Sequence, residues 1–236
     1  DFNYGTEIRF SENASFGLDQ AINDIYLKSD WTNFITPNSK LNFGGQAILH
    51  RFNPGVFKPL TEESEAIFQE LQIEERRAFE TGWYIDHEYK VNNRFNVRYG
   101  LRLSTFSNIG GTEYTYFKEP ETFKPIPDST VATVYGENEI YNTYNGLEPR
   151  ASLSYNLTTT MALKASYNRT FQYIQQATNT ASAFPTDQWF SANQNIAPQR
   201  ADQLGLGLFK NFNIGLETSV EVYYKWMENQ IDYRDN

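Results

Sequence analysis

The chain of 236 residues contains no cysteine and has only two histidines, His50 and His87. Without cysteine there can be no disulfide, no thiolate-ligated zinc and no thiol nucleophile. Two histidines are also too few for a typical histidine-based metal site. The sequence therefore predicts no metal centre and no cofactor.

Long apolar runs and an excess of cationic residues are missing as well. No apolar stretch approaches the roughly 18 residues that a membrane-spanning helix needs. Lys and Arg number 20 against 29 Asp and Glu, which gives a net charge of −9. Nucleic acids attract surfaces rich in Lys and Arg. A helical membrane protein and a nucleic-acid partner are both excluded on these grounds.

Aromatic residues are abundant. They make up 16% of the chain, although the mean hydropathy is −0.62. Disordered segments are depleted in aromatic residues. The composition therefore indicates a folded chain with much polar surface.

Alternation with a period of two residues dominates the pattern. In 161–173, Leu163 and Tyr167 occupy one parity, and Lys164 and Asn168 occupy the other. A strand places each parity on its own face, whereas a helix scatters both around its axis. The alternation predicts nine strands, at about 2–10, 20–34, 40–53, 74–91, 94–107, 147–157, 160–174, 201–212 and 213–228.

The predicted connections alternate between short and long. Short ones lie near 35–39, 91–94, 157–160 and 212–213, and long ones cover roughly 11–19, 54–73, 108–146 and 174–200. A short helix is predicted over 61–71, inside the second long connection. Long connections at every second position place all of them at one end of the sheet, as in transmembrane β-barrels.

Either a membrane barrel or a soluble sandwich could carry this alternation, and three features favour the barrel. The predicted strands exceed the usual soluble length of about 5–6 residues. The segment from Phe79 to Tyr89 rises roughly 24 Å through the membrane at a strand tilt of about 45°, which is close to the height of about 25 Å expected for the apolar band of a barrel. Aromatic residues end the apolar parity at both edges, as in interfacial girdles. They are Trp31, Phe43, Tyr89, Phe95, Tyr155 and Phe212 near the short turns, and Phe10, Phe79, Phe171, Tyr173, Tyr224 and Trp226 near the long loops.

The predicted fold class is all-β, an antiparallel up-and-down transmembrane β-barrel. Nine strands cannot close alone, because bacterial single-chain barrels have an even strand number and open edges in lipid are costly. We therefore expect residues 1–236 to be part of a larger barrel in a longer polypeptide.

Two segments resemble TonB-dependent outer-membrane receptors. In that family a sequence motif that contains Asn, Pro and Gly leads from a long extracellular loop into a barrel strand near the C-terminus. The hairpin 149–170 and the strand 221–233 resemble the family's neighbouring strands. The residues of this chain that match the motif are Asn195, Ile196, Pro198, Gln199, Leu204 and Gly205.

The resemblance implies a receptor of the Bacteroidetes type in the Gram-negative outer membrane. Residues 1–236 are then part of its C-terminal barrel domain, of probably 22 strands, and the plug and N-terminal domains lie outside them. Such a receptor imports a scarce ligand, which is a siderophore, haem, glycan or peptide. The implied partners are outer-membrane lipid, the TonB complex through the plug region, and a surface lipoprotein.

Candidate site residues come from the loops and from the polar parity. Aromatic residues in a polar outer loop indicate either ligand contact or packing between loops. Charges on the polar parity indicate a hydrated lumen wall or a ligand path. The ligand-binding candidates are Asp187, Gln188, Trp189, Phe190, Tyr141 and Tyr144, and the lumen-wall candidates are Arg98, Arg102, Lys164 and Glu221.

Catalysis is poorly supported, so no catalytic residue is predicted. Asp86 and His87 are adjacent on a strand and face opposite sides, so they cannot form a hydrogen-bonded dyad. His50 has no orienting carboxylate nearby in the sequence. Two other functions remain open, a passive outer-membrane porin without a plug and a soluble β-rich ligand-binding module.

Overall fold

The computed structural model of the chain describes most of its residues. These are residues 2–11, 14–62, 71–72, 74–115, 131–177, 188–212 and 214–231. They contain no helix long and apolar enough to cross a bilayer.

The described residues are almost entirely strand. Their strands are β1 (Phe2–Ser11), β2 (Ala14–Thr36), β3 (Ser39–Pro59), β4 (Leu71–Gln72), β5 (Arg76–Lys90), β6 (Phe95–Thr115), β7 (Val131–Asn156), β8 (Met161–Gln172), β9 (Ile174–Ala177), β10 (Gln188–Ser191), β11 (Gln199–Asn211) and β12 (Glu217–Glu228).

Nine of these strands form one continuous sheet in the order β1-β2-β3-β5-β6-β7-β8-β11-β12, and β4 pairs with β3 at its side. Every neighbouring pair along this path is antiparallel. Strands β9 and β10 form a separate hairpin. The nine predicted strands and their up-and-down order are confirmed.

Four strands, β2, β3, β6 and β7, extend well beyond the predicted boundaries at the end of the sheet that carries the long connections, called here the loop end. The predicted loop 108–146 is mostly paired strand, since β6 runs to Thr115 and β7 begins at Val131. The predicted loop 11–19 is wrong for the same reason, because β2 begins at Ala14. Outside the apolar band of a barrel, strands can stay paired through their backbones although their side chains no longer alternate between apolar and polar. The sequence therefore does not mark these extensions. The predicted helix falls largely on residues 63–70, outside the described ranges.

One face of the sheet, called here the apolar face, carries aliphatic side chains that remain exposed. The cross-strand partners Val97, Leu153, Ala165, Leu206 and Val222 follow one another across five strands and therefore share this face. Leu153, Leu206 and Val222 are 43%, 53% and 67% exposed. A soluble sandwich would bury these side chains against a second sheet, so the soluble alternative is wrong.

The predicted aromatic girdles are present on the apolar face among the described side chains, with one correction, and the side chain of Phe10 lies outside the described part of the chain. Exposed members at its two ends are Trp31, Phe43, Tyr89, Tyr155 and Phe212 at the turn end, and Phe79, Tyr224 and Trp226 at the loop end. Phe171 and Tyr173 do not belong to them. Strand β8 leaves β7 after the pair Arg150–Asn168 and stays paired with β11 as far as Gln172. Phe171 and Tyr173 then pack over Gly146 on the opposite face.

The opposite face, called here the polar face, holds the buried hydrophobic cluster of the described residues. Phe52, Ala78 and Phe106 come from the sheet, while Tyr173 and Ala192 come from the connection between β8 and β11. This cluster lies towards the loop end, and it fixes that connection against the sheet.

Candidate functional site

The four predicted lumen-wall residues all lie on the polar face. Lys164 and Glu221 are both cross-strand partners of Gly207. Arg98 lies in the next row of that face, because its partner Ser152 is two residues from Ser154, the partner of Lys164. The three charged residues Arg98, Lys164 and Glu221 line one open cavity of about 430 Å³.

Ion pairs between strands neutralise much of this charge. The Arg98 Nε atom donates to Asp86 Oδ1 at 2.7 Å. The Arg102 guanidinium lies 3.7 Å from a Glu148 carboxylate oxygen. Opposite charges on neighbouring strands stabilise a sheet modestly. Such ion pairs are expected on a water-lined lumen wall that carries many charged side chains.

The connection after β8 folds over the polar face. Tyr173 stacks on Phe106 with ring centroids 5.1 Å apart and the rings inclined by 5°. The Tyr173 and Ser104 hydroxyl oxygens are 2.7 Å apart. Ser104 lies on β6, 69 residues earlier in the chain. Stacking and a buried hydrogen bond therefore attach the start of the connection to the sheet.

Gly146 makes this close approach possible. A Cβ atom at this position would lie 2.7 Å from Phe171 Cδ2, from Ser104 Oγ and from the Tyr173 hydroxyl oxygen. Contacts this short do not occur for real Cβ atoms. The sheet lacks a side chain here because the returning chain occupies the space.

The other end of the connection is attached to the same face. The Asn108 side-chain amide donates to the Ala192 carbonyl at 2.9 Å. The Tyr144 hydroxyl donates to the Asn193 carbonyl at 2.8 Å. The Ala192 amide donates to the Tyr173 carbonyl at 2.7 Å and closes the base of the hairpin. We call Tyr173–Asn193 the inner hairpin, because both its ends are attached to the polar face.

The inner hairpin contains the predicted ligand-binding cluster. Trp189 is half-buried, and it pairs through its backbone with Gln176. Gln188 and Phe190 flank it in strand β10. Asp187 lies outside the described residues. The structure thus places Trp189 in the inner hairpin, while ligand contact stays a prediction.

Tyr141 and Tyr144, the other two ligand-binding candidates, use their hydroxyls within the chain. Tyr144 holds the inner hairpin. Tyr141 donates to Glu113 Oε2 at 3.2 Å and stacks on Tyr135 with centroids 4.3 Å apart. Arg76 pairs with the same Glu113 oxygen at 3.3 Å. Burial raises the pKa of Glu113, despite the charge of Arg76. Burial, followed by the negative charge of Glu113, raises the pKa of Tyr141 to about 12.

The high pKa of Tyr141 leads to a testable prediction for Tyr141→Phe. In the ultraviolet absorbance titration, the wild-type-minus-variant difference should have its midpoint at about pH 12, whereas an exposed tyrosine ionises near pH ~10. Because the folded-state pKa is raised, the neutral phenol contributes its full stability below about pH 10 and loses it as pH rises through about 12. A difference curve centred near 10 contradicts the buried Tyr141–Glu113 contact.

The contacts of both histidines were not foreseen from the sequence. His50 Nδ1 lies 2.8 Å from Asp24 Oδ1, and its Nε2 lies 3.5 Å from Glu80. No carboxylate lies near His50 in the sequence, and the neighbouring strands supply two in space. On the apolar face, His87 contacts the Ser39 and Tyr99 hydroxyls at 2.8 Å each. These partners are distant in sequence, so spacing alone could not reveal them.

The attachments of the inner hairpin were also missed. Ser104 lies on the predicted polar parity, where it resembles any hydrated wall residue, and Asn108 lies in the predicted loop 108–146. Tyr173 continues the apolar parity of β8, and this favoured a place in the outer girdle. The one local signal is Gly146, a residue without a side chain in a long strand.

A long-stranded antiparallel sheet with an exposed apolar face, aromatic residues at both its ends and a charged opposite face is the wall of an outer-membrane β-barrel. The family model of the TonB dependent receptor-like β-barrel matches residues 1–236. The chain therefore belongs to this family, whose members are transporters and receptors of the Gram-negative outer membrane that work with TonB.

Solved structures of the same fold are similar to this chain. The alcaligin outer-membrane receptor FauA from Bordetella pertussis has 17% identity and a TM-score of 0.52, over 92% of this chain and 31% of its own. The ferric yersiniabactin uptake receptor FyuA from Yersinia pestis has 12% identity and a TM-score of 0.50, over 91% of this chain and 30% of its own. The chain thus spans about a third of these structures. Comparison with the curated proteins gave no match.

Proposed function

We propose that this chain is part of the barrel of a TonB-dependent receptor that imports a scarce ligand across the outer membrane. The observation that carries the proposal is the inner hairpin. A barrel that serves only as a wall has no need of a loop folded onto its polar face. A hairpin in this place narrows the path along that face and presents side chains to whatever enters.

The ligand contacts are proposed at the inner hairpin, around Asp187, Gln188, Trp189 and Phe190. The hairpin is held at its base by Tyr173 and Ala192, so strand β10 with Trp189 is presented from a fixed support. A rigid scaffold that presents a loop is the usual way in which proteins build binding sites. A tryptophan among polar groups suits an aromatic or sugar-like ligand.

Tyr141 and Tyr144 are proposed to border this site through their ring faces, since their hydroxyls are engaged within the chain. The polar-face charges Arg98, Arg102 and Lys164 with Glu221 are proposed to line the water-filled lumen below it. The ligand is proposed to be a siderophore, haem, a glycan or a peptide.

The energy for import is proposed to come from the inner membrane through TonB. In this proposal the barrel has 22 strands, and a plug region in the remainder of the polypeptide fills it. TonB binds that plug region. A surface lipoprotein partner, as in receptors of the Bacteroidetes type, belongs to the same proposal.

Compound depletion from growth medium tests the proposal for a ligand of any chemical class. Three strains are compared by mass spectrometry of spent medium: the wild type, a strain that lacks the whole gene carrying this chain, and a strain that lacks TonB. We expect at least one compound that the wild type removes and both deletion strains leave behind. A compound that the TonB-deficient strain still removes in a receptor-dependent way indicates a passive porin and contradicts the proposal.

A further inference from the structure

Strands β7 and β8 separate at Pro149. Their pairing ends with Arg150 opposite Asn168, although β8 continues along β11 as far as Gln172. Strand β7 also continues beyond this point, paired with β6 on its other side. The two strands therefore diverge at the first pair that would include the proline.

The nitrogen of Pro149 faces β8. The Asn156 amide donates to the Arg94 carbonyl at 2.7 Å, on the side of β6. Backbone amides of alternate residues in a strand point to the same side, so the odd-numbered positions of β7 point to β8. In register with the existing pairs, the nitrogen of Pro149 would face the carbonyl of Arg169. Proline has no N–H to donate, so this pair lacks one of its two hydrogen bonds.

Continued pairing would move the start of the inner hairpin to the other face of the sheet. In the register of the existing pairs, Phe171 would lie opposite Leu147. Tyr173 would follow opposite Asn145, also on the apolar face. Both rings would then belong to the outer girdle, where the alternation in the sequence predicts them. In the structure they pack over Gly146 instead, so the sequence of β8 suits two arrangements.

We propose that Pro149 is a positioning residue, which directs the inner hairpin onto the polar face by ending the pairing of β7 with β8. An amide donor at this position would favour the paired arrangement by one backbone hydrogen bond. Phe171 and Tyr173 would then leave the space above Gly146, and the inner hairpin would lose its attachment through Tyr173. The inference rests on the proposed function only for the use that the receptor makes of the hairpin.

Gly146 has a different role in this arrangement. Its amide belongs to the even-numbered positions of β7, which point to β6, so it takes no part in pairing with β8. The glycine provides space for Phe171 and Tyr173. The backbone of Pro149, and not the space above Gly146, therefore decides where the two strands part.

Disulfide formation in the whole protein tests this role. Cysteines are placed at Glu148→Cys and Thr170→Cys, which would be direct partners if the pairing continued past Pro149. Partners of this kind, which exchange no hydrogen bonds, have Cα atoms about 4.5 Å apart, within the reach of a disulfide. The cross-linked fraction is read after mild oxidation in the folded band of an unheated gel.

Pro149→Ala should raise this cross-linked fraction about fivefold or more, the population change that one net hydrogen bond supports. Pro149→Thr restores the same amide with a residue that favours strands, and it should act in the same direction. Loss of stability alone would not create a new cross-link, so this readout separates positioning from a merely structural role.

Two controls accompany the measurement. The pair Ser152→Cys with Ser166→Cys joins direct partners of the same kind in the paired part of the two strands, and it should cross-link with or without Pro149. Leu147→Ala shortens a side chain of the same strand but leaves every backbone amide in place. It should not change cross-linking between positions 148 and 170.

Three outcomes overturn the inference. The first is an unchanged cross-linked fraction in folded Pro149→Ala and Pro149→Thr protein. The second is an equal rise in Leu147→Ala, which assigns the effect to packing. The third is complete cross-linking of positions 148 and 170 with Pro149 in place, which shows that the strands are not held apart. Failure of the import proposal leaves all three readouts unaffected, since none involves a ligand or uptake.

Discussion

Arginine in place of Val222 should destabilise the folded barrel by about 2–4 kcal/mol, the cost of a cation at the bilayer midplane. Val222 lies near the middle of β12, and it is 67% exposed on the apolar face. If this side chain faced water, the substitution would hardly change the free energy of unfolding. In lipid the same exposure leaves the guanidinium without solvent or counter-ion. Urea unfolding of the whole protein in lipid vesicles measures the difference.

The matched control for this prediction is Tyr223→Arg. Tyr223 is the next residue of the same strand, it is 71% exposed, and its partner Gly205 places it on the polar face. A cation on a water-lined lumen wall should change the free energy of unfolding by less than about 1 kcal/mol. Equal effects of the two variants would show that both faces meet the same medium.

Alanine in place of Trp189 should weaken ligand binding by about 2 kcal/mol or more, roughly thirtyfold. Trp189 is half-buried in the inner hairpin, and large aromatic side chains dominate binding sites of this kind. The measurement is calorimetric titration of the purified whole protein with the compound that both deletion strains leave in the medium. Barrel assembly should be unchanged, because the hairpin is attached to the sheet through other residues.

Trp226→Ala is the control for the same titration, since Trp226 lies on the apolar face at the loop end. It should leave the affinity unchanged. The competing account is that Trp189 pins its loop against the β6–β7 hairpin, which Asn195 already contacts through the Tyr114 carbonyl at 2.6 Å. Unchanged affinity in Trp189→Ala, with raised protease sensitivity of both hairpins, would establish packing and withdraw the contact.

The sheet could be predicted from the sequence because lipid imposes its own pattern. Inside the apolar band every second residue must be apolar, and Leu163 and Val222 repeat that requirement along their strands. Outside the band water accepts any side chain, so the extensions of β6 to Thr115 and of β2 to Ala14 leave no such signal. The nine strands along the sheet were therefore predicted correctly, whereas β2, β3, β6 and β7 reach farther towards the loop end than predicted.

The inner hairpin could not be predicted from the sequence because its contacts are tertiary. Tyr173 follows the apolar parity of β8, which places it in the outer girdle if the strand stays straight. Its actual position depends on the point where β8 leaves β7, after Asn168, and on the space that Gly146 provides. Neither property is local to Tyr173, so alternation assigned it to the wrong face.

The central claim is that the apolar face contacts lipid and the polar face contacts water. Spin labels at three consecutive residues of β7 test it directly, at Ser152→Cys, Leu153→Cys and Ser154→Cys, and the cysteine-free chain makes each label unique within it. Relaxation by oxygen reports lipid exposure, and relaxation by a water-soluble nickel chelate reports water exposure. We expect the Leu153 label to be relaxed mainly by oxygen, and the labels at Ser152 and Ser154 mainly by nickel. The same relaxation pattern at all three positions would contradict the account.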